Sequence, residues 1–232
     1  DALPISAYRA MVKQWADRLS VAHILGTKAF MGLEFKVSED VLIPRPETEM
    51  LVETVVAAAE GTAPAIIDIG TGSGAIILSL LHYLPQATGT GVDISPKALA
   101  IAAENGRTLG LDGRVTWIES YLFTKVPQGA CDWLVSNPPY LTKGDMEHLQ
   151  PEVRHDPALA LYGGDDGLEF YRRIAAESPA YVKAGGHCAV EIGAGQADAV
   201  TAIFCRHGAY DHEQTVKDYG GIDRVLVFSR KE

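Results

Sequence analysis

The chain of 232 residues carries 30 acidic and 20 basic side chains, a net charge of −10, and is 47% apolar. That composition supplies a sizeable core for one to two domains, and its acidic balance argues against general nucleic-acid binding, which needs a basic footprint. No apolar run approaches the ~20 residues that span a membrane, and no signal-peptide pattern opens the chain, which begins without Met, as a fragment or processed form would.

Residues 5–19 read as a helix, with Tyr8, Met11, Val12, Trp15 and Leu19 at helical spacing and Ser6 as its cap. His23 lies in the short apolar run 21–25 and is read as structural. Phe30 to Val37 and Val41 to Ile43 read as two strands of a hairpin, joined by Ser38-Glu39-Asp40. Pro44-Arg45-Pro46 breaks this pattern, and Glu47-Thr48-Glu49 opens a helix to about Ala59 with acidic residues in its first turn, as the helix dipole favours.

From Ala65 strands and helices alternate. Strand 65–69 feeds a glycine loop and a helix over 75–84, and strand 88–93 ends in Asp93. Ser95-Pro96 then starts a helix to Leu109. Strands 114–118 and 131–135 follow, then a polar stretch over 141–165 with one short helix after Gly144. A long helix over 167–182, a strand over 187–192, a helix over 196–207 and two strands near 210–216 and 222–229 complete the chain. This alternation predicts an α/β fold, a mostly parallel sheet with helices on both faces, ending in an antiparallel hairpin.

Two stretches carry chemistry. Asp68-Ile69-Gly70-Thr71-Gly72-Ser73-Gly74 joins a strand to a helix, and its glycines let the backbone turn tightly and approach a ligand. Its Gly-x-Gly-x-Gly spacing differs from the dinucleotide fingerprint and lacks the Lys-Ser/Thr of a phosphate-binding loop. Asp93, at the end of the next strand, is placed to accept both hydroxyls of a ribose, whereas Asp68 is read as holding loop backbone. Together they imply a nucleoside cofactor, with NAD and S-adenosylmethionine both open at this point.

The second stretch, Ser136-Asn137-Pro138-Pro139-Tyr140, leaves the sheet at the end of an apolar strand. Each proline lacks an N–H and holds its predecessor extended. The result is a stiff segment rich in carbonyl acceptors beside an aromatic ring, suited to a planar group that carries an NH2. Cys131, Cys188 and Cys205 show no metal-ligand spacing and read as reduced thiols of a cytoplasmic protein. No metal site is expected.

With these features in place, the chain resembles the HemK/PrmC glutamine methyltransferases. Leu42-Ile43-Pro44-Arg45-Pro46-Glu47-Thr48-Glu49 is similar to the family's Ile-Pro-Arg-Pro-Glu/Asp-Thr-Glu segment. The glycine loop, Asp93, Asn137 to Tyr140, Glu152-Val153-Arg154 and Asp218 to Arg224 are similar to further family segments. The resemblance implies the seven-stranded, Rossmann-like fold of class I S-adenosylmethionine-dependent methyltransferases over residues 46–232. Residues 1–45 would then be the remnant of an N-terminal helical domain plus a linking hairpin.

It also implies methyl transfer from S-adenosylmethionine, leaving S-adenosylhomocysteine, to the glutamine of the Gly-Gly-Gln motif in peptide chain release factors, with neither membrane nor nucleic acid as partner. Asp68, Gly70, Thr71, Gly72, Ser73, Gly74, Asp93, Leu122 and Asn137 are the expected cofactor residues. Asn137, Pro138 and Tyr140 are the expected catalytic residues, and Pro139 joins them in holding the substrate. Asn137 Oδ1 and the Pro138 carbonyl would accept the two amide N–H bonds while Tyr140 packs on the flat amide. Tyr121 departs from the family pattern, which has Asp there. Three rival readings are an adenine amino-methyltransferase, an NAD-dependent oxidoreductase and a cofactor-binding module without turnover.

Overall fold

A computed structural model describes residues 5–129, 131–206 and 208–232. The centre of the molecule is a seven-stranded sheet in the order β5-β4-β3-β6-β7-β9-β8. Its strands are β3 (Ala65–Ile69), β4 (Thr88–Asp93), β5 (Val115–Glu119), β6 (Cys131–Ser136), β7 (Val182–Glu191), β8 (Tyr210–Lys217) and β9 (Asp223–Arg230). The first five of these pair in parallel, and β9 pairs antiparallel with both β7 and β8.

The crossovers are α4 (Ala75–Tyr83), α5 (Pro96–Thr108), α7 (Glu169–Glu177) and α8 (Ala197–Cys205), with α3 (Glu49–Ala59) leading into β3. One apolar cluster joins α3 and α4 to one face of the sheet, through Leu51, Val55, Ile77 and Leu81. A second joins α7 and α8 to the other, through Tyr171, Ile174, Ile203 and Phe204. A parallel sheet buried on both faces explains why its strands read as continuous apolar runs.

The N-terminal part differs from the sequence reading. The predicted helix over 5–19 is α1 (Ile5–Ala16), followed by a separate α2 (Val21–Leu25). Ser20, not Ser6, is a cap seen here: its side chain accepts from His23 N at 3.3 Å. The hairpin is β1 (Thr27–Phe30) with β2 (Leu33–Lys36), turning at Met31-Gly32, and Val41–Ile43 is not a strand. Val41 and Ile43 are apolar because they are buried beside α5 in a cluster of their own with Ala98 and Ile101. The hairpin is bolted to α5, since Lys36 N donates to Asn105 Oδ1 at 2.8 Å and Asn105 Nδ2 donates to Lys36 O at 3.1 Å.

Two further boundaries move. The predicted helix over 167–182 stops at Glu177 because Pro179 follows, and β7 begins at Val182 rather than 187. Gly185 at φ +72 sits where the pairing register with β6 shifts, so the glycines interrupt the strand rather than precede it. The helix expected over 196–207 is α8, and its expected last residue, His207, lies outside the described residues, as do residues 1–4 of the expected N-terminal segment. The polar stretch contains α6 (Lys143–Glu147), closed by a capping box between Thr142 and Asp145. Cys131 and Cys188 are buried free thiols, and Cys205 is half-buried.

Candidate active site

The strand order reverses beside β3, where ligands of open α/β sheets bind at the carboxyl ends. There β3 and β6 lie side by side, and the Ser136 hydroxyl donates to Ile69 O at 2.7 Å, tying the two chemical stretches together. A cavity of about 330 Å3 opens above them, within the size range of small-molecule sites.

On the β3 side the wall is the glycine loop. Gly70 and Thr71 donate their N–H groups to Val92 O at 2.8 and 2.9 Å, folding the loop over β4. Gly70 and Gly72 have φ of +76 and +54, and a β-carbon on either would meet nothing within 4 Å, so bare backbone faces open space. Asp93 braces the loop: its Oδ2 accepts from Gly72 N and its Oδ1 from Ser95 N, both at 2.9 Å. Burial raises the Asp93 carboxyl, and those backbone donors oppose the rise.

Asp68 lies beneath the loop, fully buried, with the Thr71 hydroxyl donating to its Oδ2 at 2.6 Å. Burial pushes Asp68 up to about 7. Of the expected cofactor residues, Gly70, Gly72, Asp93, Leu122 and Asn137 line the cavity, whereas Asp68, Thr71, Ser73 and Gly74 stand behind its wall.

On the β6 side Asn137, Pro138 and Pro139 line the cavity. Asn137 Nδ2 donates to the Thr48 hydroxyl at 3.2 Å, which turns Oδ1 away from Thr48. Tyr140 is not in the cavity lining; it packs on the α7/α8 core cluster. Its carbonyl accepts from Gln196 Nε2 at 3.2 Å, while Gln196 Oε1 accepts from Gly193 N at 2.9 Å. Burial pushes the Tyr140 phenol up to about 12.

Several wall residues escaped the sequence reading. Pro157, Leu159 and Ala160 form part of the wall, and Asp156 anchors that segment. Asp156 is buried, takes an ion pair from Arg45, and has His23 Nε2 at 3.8 Å. Val41 and Leu42 contribute from the segment after the hairpin. Only the proline-broken context of residues 41–46 hinted at this, because a segment that wanders between elements carries no periodic pattern.

Tyr121, at the position that departs from the family pattern, also lines the cavity, with the Arg173 guanidinium 4.5 Å from its ring centroid. Leu122 beside it holds a left-handed backbone at φ +49, a conformation that costs energy in a leucine.

A nucleoside cofactor fits this set. Open space lies before two bare glycines. The Asp93 carboxylate spends one lone pair of each oxygen on a backbone N–H, of Gly72 and of Ser95, and keeps others for hydroxyls. Leu122 adds apolar surface and Tyr121 an aromatic ring.

A family profile described as "Methyltransferase small domain" matches residues 46–153. A release factor glutamine methyltransferase of Geobacter sulfurreducens is 45% identical over 223 residues, covering 96% of this chain and 77% of that protein. The protein of the same description from Agrobacterium fabrum is 46% identical, covering 95% and 78%. The crystal structure of a release-factor-specific protein-(glutamine-N5) methyltransferase from Alicyclobacillus acidocaldarius superposes with a TM-score of 0.51 at 32% identity, covering 85% of this chain and 100% of that one.

Proposed function

We propose, for a chain that belongs to the release factor glutamine methyltransferase family, a reaction assembled where the glycine loop faces Asn137-Pro138. The enzyme transfers a methyl group from S-adenosylmethionine to the side-chain amide nitrogen of a release factor glutamine. We take that glutamine to be the one in the Gly-Gly-Gln motif. The cofactor supplies, when bound, a methyl carbon activated by its sulfonium. The loop backbone at Gly70 and Gly72 and the Asp93 carboxylate hold it, with Leu122 and Tyr121 against its flat base.

A glutamine amide nitrogen is a weak nucleophile because its lone pair is delocalised into the carbonyl. Its attack therefore depends on placement within ~3–3.5 Å and in line with the leaving group. Asn137 Oδ1 and the Pro138 carbonyl accept the two N–H bonds of the substrate amide. Two fixed acceptors aim the nitrogen and stabilise the positive charge that develops on it. No side-chain base is required, because the proton leaves to solvent once the nitrogen carries four bonds. Tyr140, held by Gln196, packs behind Asn137-Pro138 and keeps that backbone in place.

The observation that carries this reading is the Asn137 amide, pinned through Nδ2 to Thr48 at the edge of the cavity shared with the glycine loop. We place a sequence boundary near residue 45, with the catalytic body at 46–232, and a cytoplasmic setting in keeping with the free thiols. The net charge of −10 supports a protein substrate over a nucleic acid. A methyl-transfer assay with release factor, free glutamine and DNA side by side tests the reading. Label on the release-factor glutamine is the expected result, and label on DNA alone would overturn it.

A further inference from the structure

A side-chain amide is nearly symmetric in shape, so Asn137 can present either its oxygen or its NH2 to the cavity. Only the oxygen works, because an NH2 would confront the substrate's own NH2 with two sets of donors. Some feature of the protein must choose. Thr48 alone does not: its hydroxyl accepts from Nδ2 in one orientation and donates to Oδ1 in the other.

Behind this pair stands Glu191, the last residue of β7, buried at 2% exposure and without an assigned task. The Thr48 hydroxyl and the Asn137 amide both approach its carboxylate and favour its ionised form. Its Oε2 is buried and has no hydrogen-bond partner among the described residues. Its own backbone is fixed, because the Tyr171 hydroxyl donates to Glu191 O at 2.9 Å and Glu191 pairs with Val225 of β9. A buried carboxylate short of donors costs stability, so its presence calls for a use other than holding the fold together.

We propose that Glu191 is a positioning residue which, with Thr48, fixes the productive orientation of the Asn137 amide. An ionised carboxylate only accepts. It accepts a hydrogen bond from the Thr48 hydroxyl, leaves the Thr48 oxygen to accept from Asn137 Nδ2, and repels Oδ1. Asn137 Oδ1 is thereby turned to the cavity. A protonated Glu191 donates and removes the preference.

The groups facing Glu191 set when that happens. Burial pushes its carboxyl up to about 7, Glu47 adds to the rise, and Thr48, Arg224 and Asn137 oppose it. The phenols of Tyr140 and Tyr171 face it as neutral groups. Turnover therefore rises as pH climbs through the neutral range and Glu191 ionises.

This inference rests on the release-factor reading above, and one experiment separates the two. Methylation of a release factor is followed from pH 6 to 9 for wild type, E191Q, T48V and T48S, with S-adenosylhomocysteine binding measured by calorimetry for each. E191Q and T48V are expected to lose about tenfold or more in kcat, the scale of one mispaired buried polar group, with cofactor affinity kept within about twofold. T48S, which restores the hydroxyl, is expected to recover most of the turnover. The neutral-range rise in kcat is expected to vanish in E191Q, whereas a rise belonging to Asp68 would persist. Wild-type turnover and an unchanged pH profile in E191Q overturn the proposal, as does equal loss in T48S and T48V. A wild-type enzyme that leaves the release factor unlabelled overturns the reading itself, and this inference with it.

Discussion

Gly163 lies directly against the backbone of Pro139: a β-carbon on Gly163 would fall 2.5 Å from the Pro139 carbonyl oxygen. Four residues on, a β-carbon on Gly167 would fall 2.3 Å from the Tyr140 carbonyl oxygen. The stretch that begins at Asn137 is thus clamped from outside by a glycine-rich turn with no room for a side chain. Gly163→Ala forces the two backbones apart and is expected to cost about 1–3 kcal/mol, as overpacking does. It should also lower kcat, because Pro138 moves with its neighbour. Urea denaturation and steady-state methyl transfer measure both effects, and an alanine variant of wild-type stability would show the contact is not tight.

Asn137→Ala removes the acceptor proposed for the substrate amide. By analogy with loss of a single oxyanion-hole donor, kcat is expected to drop by roughly 10²–10³. Asn137 is one of many residues around the cavity, so affinity for S-adenosylhomocysteine is expected to fall far less than kcat. Rapid-quench turnover beside calorimetry makes the distinction.

Asp93→Ala acts on the other wall. It deletes the acceptor of the Gly72 N–H in the glycine loop and of the Ser95 N–H at the start of α5, as well as the expected partner of the ribose. Hydrogen bonds to a charged group are worth about 1.5–3 kcal/mol, so S-adenosylhomocysteine affinity is expected to weaken by an order of magnitude or more. Affinity for the release factor should stay close to wild type, and binding titrations of both ligands would show it.

Burial raises Asp68 from 3.8 to about 7 and Glu191 from 4.5 to about 7. The folded chain therefore holds these protons more tightly than the unfolded one. Their contribution to stability is full below the ordinary carboxylate range and is lost as pH rises toward and through 7. Asp68→Asn keeps the shape and an acceptor for Thr71 but does not titrate. Its melting temperature is expected to fall less than that of wild type between pH 5 and pH 8. Parallel slopes by scanning calorimetry would show that Asp68 does not titrate in this window.

Arg45→Met tests the wall built from residues 157–160. Breaking a fully buried pair costs about 3–5 kcal/mol. Less is expected here, since the Arg45 guanidinium is partly exposed and burial already raises the Asp156 carboxyl. The released segment should raise KM for the cofactor while leaving kcat near wild type, which a cofactor titration at saturating release factor would read.

The parallel body of the fold was legible because its strands are short apolar runs set between capped helices and glycine turns. Ser95-Pro96, for example, opens α5 with the Ser95 hydroxyl accepting from Ala98 N, as its residues suggest. The N-terminal hairpin was misplaced because Val41 and Ile43 look like a strand yet are apolar for another reason, burial beside α5. That Gly70, Gly72, Asp93 and Asn137 would meet around one cavity was legible because each has a backbone or hydrogen-bonding reason to stand at a strand end. The wall over 157–160 and the task of Glu191 were not. Both depend on which segments the sheet order brings together, and spacing along the chain carries no trace of that.

The strand order has one more effect. β9, which follows β8 along the chain, is not an edge but slots between β7 and β8. Without β9 the flank of β7 that presents Glu191 would lie unpaired, so the backing of Asn137 depends on a strand far along the chain from the glycine loop. For the same reason, removing β9 is expected to be far more damaging than trimming α1, of which no residue is buried.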